Sequence, residues 1–152
     1  MTTGRNLNSV TIGGDKVVER PIQPKIVIDG NDGTGKSTLI RSLEDLGYVC
    51  QDRGLPTKMT DDYDLRPTSE KEIYLILDAP VETSRRRLAL AGRDLNERFH
   101  TVDDLTHYRK RFLEVAKLLP TATVIDADRT NDEIVGDCVL ILSKHGILPV
   151  RK

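Results

Sequence analysis

The 152 residues carry 23 Lys and Arg against 24 Asp and Glu, a formal net charge of −1, with 38% apolar and 31% charged residues. That balance suits one soluble domain with a single core, and it excludes a protein that grips long duplexes by bulk charge, although a local basic groove remains compatible with it. No stretch approaches the roughly 18 apolar residues of a membrane-spanning helix, so no membrane partner is expected. The first residues show no apolar core after Arg5, so no signal peptide is read; the cytoplasm is the expected compartment, or the host cytoplasm for a viral chain.

Residues 1–24 read as an appended arm. Within it Ser9-Val10-Thr11-Ile12 faces Lys16-Val17-Val18 about a Gly13-Gly14 turn, the pattern of a hairpin, and Pro21 and Pro24 separate it from the rest of the chain. From residue 25 strand and helix periods alternate, which is the signature of a parallel sheet with crossover helices. A strand is expected over 25–29, then a helix over 37–46 with Leu39, Ile40, Leu43 and Leu46 on one face and Gly47 as its stop. A short strand comes next over 48–51. The polar stretch 55–71 reads as a long loop, and loops of that length in small domains are more often functional than idle. The run Ile73-Tyr74-Leu75-Ile76-Leu77 predicts a strand over 72–78 that is buried on both faces. Residues 81–91 form a helix with Val81, Ser84, Leu88 and Ala91 on one side. A longer helix starts at the cap Thr101 and aligns Leu105, Tyr108, Phe112, Val115 and Leu119. A strand over 122–126 precedes a last helix that opens on the capping box of Thr130 and Glu133 and closes at Gly146. Cys50 falls in a predicted strand and Cys138 in a predicted helix, so both are read as buried free thiols.

The chemistry concentrates in Gly30-Asn31-Asp32-Gly33-Thr34-Gly35-Lys36-Ser37, which fits G-x-x-x-x-G-K-[ST] behind an apolar strand and ahead of a helix. Glycines at these positions let the backbone curl until its N–H groups point at polyphosphate oxygens, and the helix start adds the positive end of its dipole. Lys36 then reaches the β and γ phosphates, the hydroxyl of Ser37 ligates Mg²⁺, and Thr38 faces the α phosphate. Strand, loop and helix in this order predict an α/β, P-loop NTPase-type doubly wound parallel sheet. It forms a single small domain over 25–152, with helices on both faces and a lid segment at about 92–100. ATP and Mg²⁺ are the expected ligands.

Taken in order, several motifs resemble the thymidylate kinase family over residues 25–143. The loop Gly30-Asn31-Asp32-Gly33-Thr34-Gly35-Lys36-Ser37-Thr38 is similar to that family's G-x-D-G-x-G-K-S-T. Asp52-Arg53 is similar to its Asp-Arg pair, Leu77-Asp78-Ala79-Pro80-Val81-Glu82 to its L-D-x-x-x-E strand exit, and Val124-Ile125-Asp126-Ala127 to its last strand and base-binding turn. The resemblance implies an ATP-dependent kinase with a pyrimidine acceptor. Two helices and a strand that usually precede the Asp-Arg pair are missing, since only residues 47–51 intervene. That trimmed acceptor side resembles a phage subfamily that phosphorylates 5-hydroxymethyluracil within DNA, the favoured acceptor. A shortened thymidylate kinase acting on the free nucleotide is the alternative, and an ATP-binding regulator without catalysis is the third reading. Ala89 and Ala91 stand where the family often has lid arginines, which leaves Arg93 and Arg98 as substitutes. Oligomeric state is left open, a homodimer included.

The candidate residues are weighed on chemistry. Asp52, at a strand's carboxyl end, is placed to hold a Mg²⁺-bound water or orient the acceptor, and Arg53 to clamp a phosphate. Asp32 supplies the base or hydrogen-bond acceptor that an incoming hydroxyl needs. Arg85, Arg86 and Arg87 point about 100° apart on a helix, so Arg87 is assigned to the catalytic side. Arg93 and Arg98 join it on the lid, where an arginine neutralises transition-state charge. Between residues 85 and 111 seven arginines and one lysine stand against Asp94, Glu97, Asp103 and Asp104, a local +4 stripe suited to ATP or a DNA backbone. Asp78 ranks below Asp52 as a metal-side acid. His100, His107 and His145 lack an acid or nucleophile at a telling spacing and are read as structural or surface residues.

Overall fold

A computed structural model of the chain describes residues 7–12, 16–21, 24–52 and 72–150. The apolar runs that read as doubly buried strands form the middle of a parallel sheet. β3 (Lys25–Gly30) lies between β4 (Cys50–Asp52) and β5 (Glu72–Asp78), and β6 (Ala122–Asp126) completes the order β4-β3-β5-β6. Ile28 is opposite Asp52 on one side and Leu75 on the other, so the carboxyl ends of the strands come out together along one edge.

Alternation along each strand divides the core. Ile26, Ile28, Ile73, Leu75 and Leu77 face α1 (Lys36–Asp45) and α4 (Asn131–Lys144), where Leu39, Leu43, Ile134, Cys138 and Leu142 meet them. Val27, Tyr74 and Ile76 face the opposite way onto Phe112, Val115 and Leu119 at the end of α3 (Val102–Leu118). Two separately packed faces require a sheet apolar on both sides, and the runs in β3 and β5 supply it. α2 (Val81–Leu90) packs beside α3. The helix starts have the expected chemistry. Thr101 accepts from the Asp104 N–H, while Thr130 and Glu133 form a complete capping box.

Two expectations shift at the end of α1. The helix stops at Asp45, so Leu46 is the cap residue, 50% exposed, rather than part of the buried face. Tyr48 N–H still bonds back to Leu43 O, which delays the next strand to Cys50 and leaves Val49 outside it. On α2, Ser84 and Leu88 are buried, while Ala91 lies beyond the helix end and is exposed. Apart from the sheet, β1 (Leu7–Ile12) pairs antiparallel with β2 (Lys16–Pro21), Val10 opposite Val18. The expected Gly13-Gly14 turn, Arg53 and the loop over 55–71 lie outside the described residues. No described helix is long and apolar enough to cross a membrane.

Candidate active site

β3 delivers Gly30 to the sheet edge, and the loop beyond it is shaped by how closely it is packed. A Cβ on Gly30 would lie 2.5 Å from Leu77 O, and one on Gly33 would lie 2.4 Å from Ser84 O with φ at +79°, so neither position accepts another residue without moving its neighbours. The loop closes on itself where the Thr34 hydroxyl donates to Asn31 O at 2.6 Å. Buried Asn31 fastens it to the far helix by donating from Nδ2 to Leu105 O at 2.8 Å. α1 begins at Gly35, which offers no capping side chain, and its first turn has no acid. Its first N–H groups are therefore free of a side-chain acceptor, the arrangement that receives an anion.

Lys36 Nζ donates to Gly30 O at 2.7 Å and lies 3.9 Å from Asp32 Oδ1 and 4.0 Å from Asp52 Oδ1. The parallel pairing of β4 with β3 is what sets Asp52 there, 16 residues beyond Lys36 in the chain. A cleft of about 670 Å³ opens over this group and is lined by Asp32, Gly33, Thr34, Gly35, Lys36, Ser37, Thr38, Asp52, Arg87 and Arg93. Gly30 and Asn31 are not among its lining residues: Gly30 is pressed against Leu77, and the buried Asn31 side chain turns to Leu105. Arg87 donates from Nη1 to Thr34 O at 3.2 Å and from Nη2 to Arg129 O at 3.1 Å, so one guanidinium ties the loop to the turn after β6. Arg98 is not brought in: it is exposed, with its guanidinium carbon 4.7 Å from the Phe99 ring centroid.

The basic stripe is smaller than its residue count. Arg85 donates to Leu95 O and His100 O, Arg109 grips Asp78 through two bonds of 2.8 and 3.1 Å, and Arg111 pairs with Glu114 at 3.6 Å. The hydrogen bond that Arg109 donates to Asp78 raises its guanidinium above its ordinary value. Asp78 is thereby taken up by α3. Among the described residues no group of three or more His, Cys, Asp and Glu could hold a metal. Magnesium keeps several waters and phosphate oxygens around itself, so the Ser37 hydroxyl and the Asp52 carboxylate, both exposed on the cleft, suit it as sparse protein ligands.

His100, read as structural or surface, is structural and has a partner that its sequence neighbours do not show. It is 6% exposed, with Nε2 3.0 Å from Asp32 Oδ2 and Nδ1 3.0 Å from Asp94 O. Asp32 is 68 residues away in the chain, and no local spacing signals such a pair. Arg129, Asn131 and Ile134 also line the cleft, and no sequence motif marks them. Arg129 is fixed by Asp137 at 2.6 Å and by Asp126 O at 3.0 Å, and Asn131 donates to Ser42 Oγ at 2.9 Å. The one signal they carry is their position just past the carboxyl end of a strand, where parallel sheets bind ligands.

The model of the RapZ-like N-terminal domain matches residues 24–117, a span that holds the loop, Asp52, α2 and most of α3. The chain belongs to that family. A nucleotide-binding protein of Geotalea daltonii is 28% identical over 114 residues, covering 72% of this chain and 33% of its own. One of Vibrio vulnificus is 25% identical over 135 residues, covering 84% of this chain and 44% of its own. The chain therefore spans between a third and a half of the length of these family relatives. In three dimensions a gluconokinase from Sinorhizobium meliloti superposes with a TM-score of 0.57 at 12% identity, covering 80% of this chain and 92% of that one. The fold is that of a P-loop kinase.

Proposed function

We propose that the cleft binds ATP with Mg²⁺ and transfers the γ-phosphoryl group to an acceptor hydroxyl. The observation that carries this is the pairing of a closed phosphate loop with two carboxylates, Asp32 and Asp52, on either side of Lys36. The loop N–H groups and Lys36 hold the polyphosphate, and when bound Mg²⁺ offsets charge on the β and γ oxygens. Asp32 orients the attacking hydroxyl and accepts its proton, Arg93 enters from the lid, and Arg87 fixes the loop against the turn that carries Arg129. The superposed gluconokinase supports phosphoryl transfer as a chemistry this fold serves.

For the acceptor we favour 5-hydroxymethyluracil in DNA, on the thymidylate-kinase-like motifs and on the passage from α1 to β4 without an intervening helix or strand. The cations left for a DNA backbone are the exposed Arg86, Arg93, Arg98 and Lys110. A free thymidine nucleotide is the alternative acceptor. The relatives' names, nucleotide-binding proteins, favour a second reading in which ATP is bound and nothing is phosphorylated. Incubation with γ-labelled ATP, Mg²⁺ and a panel of hydroxymethyluracil DNA, unmodified DNA and free pyrimidine nucleotides separates the three. Label in the modified DNA, declining with salt, supports the favoured acceptor; label in the free nucleotide replaces it; tight ATP binding with no labelled acceptor overturns transfer.

A further inference from the structure

Both nitrogens of the His100 ring face oxygens that can only accept. Asp32 Oδ2 lies 3.0 Å from Nε2, and Asp94 O lies 3.0 Å from Nδ1, with Glu97 Oε2 at 3.7 Å on the same side. Donation from Nε2 to Asp32 joins the buried ring to the phosphate loop, and the Asp94 carbonyl flanks the ring on its other side. The remaining charged neighbours are Lys36, 3.9 Å from Asp32, and Arg85, which binds the carbonyl of His100 from α2. Among the described residues the His100 to Asp32 bond is the single side-chain link between segment 92–100 and the phosphate loop.

We propose that His100 is a positioning residue that latches segment 92–100 onto the phosphate loop and holds the Asp32 carboxylate toward the acceptor; the second half rests on the phosphotransfer reading. Without the ring, Asp32 has no partner on segment 92–100, and that segment keeps only its bonds to α2 and α3.

Hydrogen exchange tests the latch without any acceptor. The amides of Asn96, Glu97, Phe99 and His100 are bonded within the lid or to Asp104, so their protection reports closure. His100→Ala should lower them about tenfold or more, the scale of a lost charged hydrogen bond, while β3 and β5 amides stay protected and show the fold intact. His100→Gln, which can also donate to Asp32, should keep part of the protection. Asp32→Asn combined with His100→Ala should cost little more than either change alone. Unchanged protection in His100→Ala, or effects of the two substitutions that simply add, would overturn the latch. In the transfer assay His100→Ala should lower kcat about tenfold and shift KM for ATP less than about threefold. A chain that labels no acceptor but shows the expected exchange pattern would refute phosphotransfer and leave the latch standing.

Discussion

The loop over 30–38 and segment 92–100 both line one cleft and are held in different ways. The loop is shaped by its own chain: Gly33 packs where no side chain fits, Thr34 bonds three residues back to Asn31, and α1 starts at once from Gly35. Segment 92–100 has no helix or strand and is mostly exposed, and its position is supplied by others, Arg85 from α2, Asp104 from α3 and Asp32 from the loop. A wall fixed by backbone geometry is preorganised for a charged ligand. One fixed by three side-chain contacts can open without disturbing the sheet, and opening of that kind sets turnover in many enzymes.

The largest effect that could break this contrast is on the loop's charge. Lys36→Ala should reduce phosphoryl transfer on the order of 10²-fold or more, measured by label movement, with the melting temperature nearly unchanged; unaltered turnover would remove Lys36 from the chemistry. Next comes the loop's shape. Gly33→Ala drives a methyl into Ser84 O at a left-handed φ and should cost about 2–3 kcal/mol by denaturant unfolding, whereas Gly35→Ala, with nothing within 4 Å, should cost only about 1–2 kcal/mol of backbone strain. Equal costs at the two positions would mean that packing on α2 does not shape the loop. Smaller again is the effect on segment 92–100. Arg85→Met removes the donors to Leu95 O and His100 O and should raise proteolysis within 92–100 by about tenfold, with a midpoint of global unfolding close to that of the unaltered chain.

The same contrast governs how far these walls could be foreseen. The glycines, Lys36 and Ser37 carry the loop in a contiguous stretch, and the alternating apolar runs of β3 and β5 carry the sheet and its two covered faces. His100 was legible only as a histidine, because its partner is 68 residues away and meets it through the tertiary fold. Counting charges likewise overstated the basic stripe, since Arg85, Arg109 and Arg111 are consumed by carbonyls and carboxylates that no count reveals. The reading of Cys50 and Cys138 as free thiols was local and agrees with the structure, which leaves Cys138 buried and Cys50 partly so.

Those thiols carry the smallest predicted effect at neutral pH. Burial pushes Cys50 up to about 11 and Cys138 up to about 12, so neither should react with a thiol reagent at pH 7 in the folded chain. Because the folded values lie above the ordinary 9.0, this contribution to stability is complete below about pH 9 and is lost as pH rises through about 11 and 12. Melting temperature measured from pH 8 to 12 should fall across that window, and less steeply in a Cys138→Ala chain. An identical slope in both would contradict the assignment to Cys138.

The central claim is that the loop over 30–38 receives the phosphates of ATP. Hydrogen exchange of the unaltered and Lys36→Ala chains, each with and without ATP and Mg²⁺, tests it most directly. The account predicts ATP-dependent protection of residues 30–38 in the unaltered chain and its loss in Lys36→Ala. ATP-dependent protection that lies elsewhere, or that survives Lys36→Ala undiminished, would contradict it.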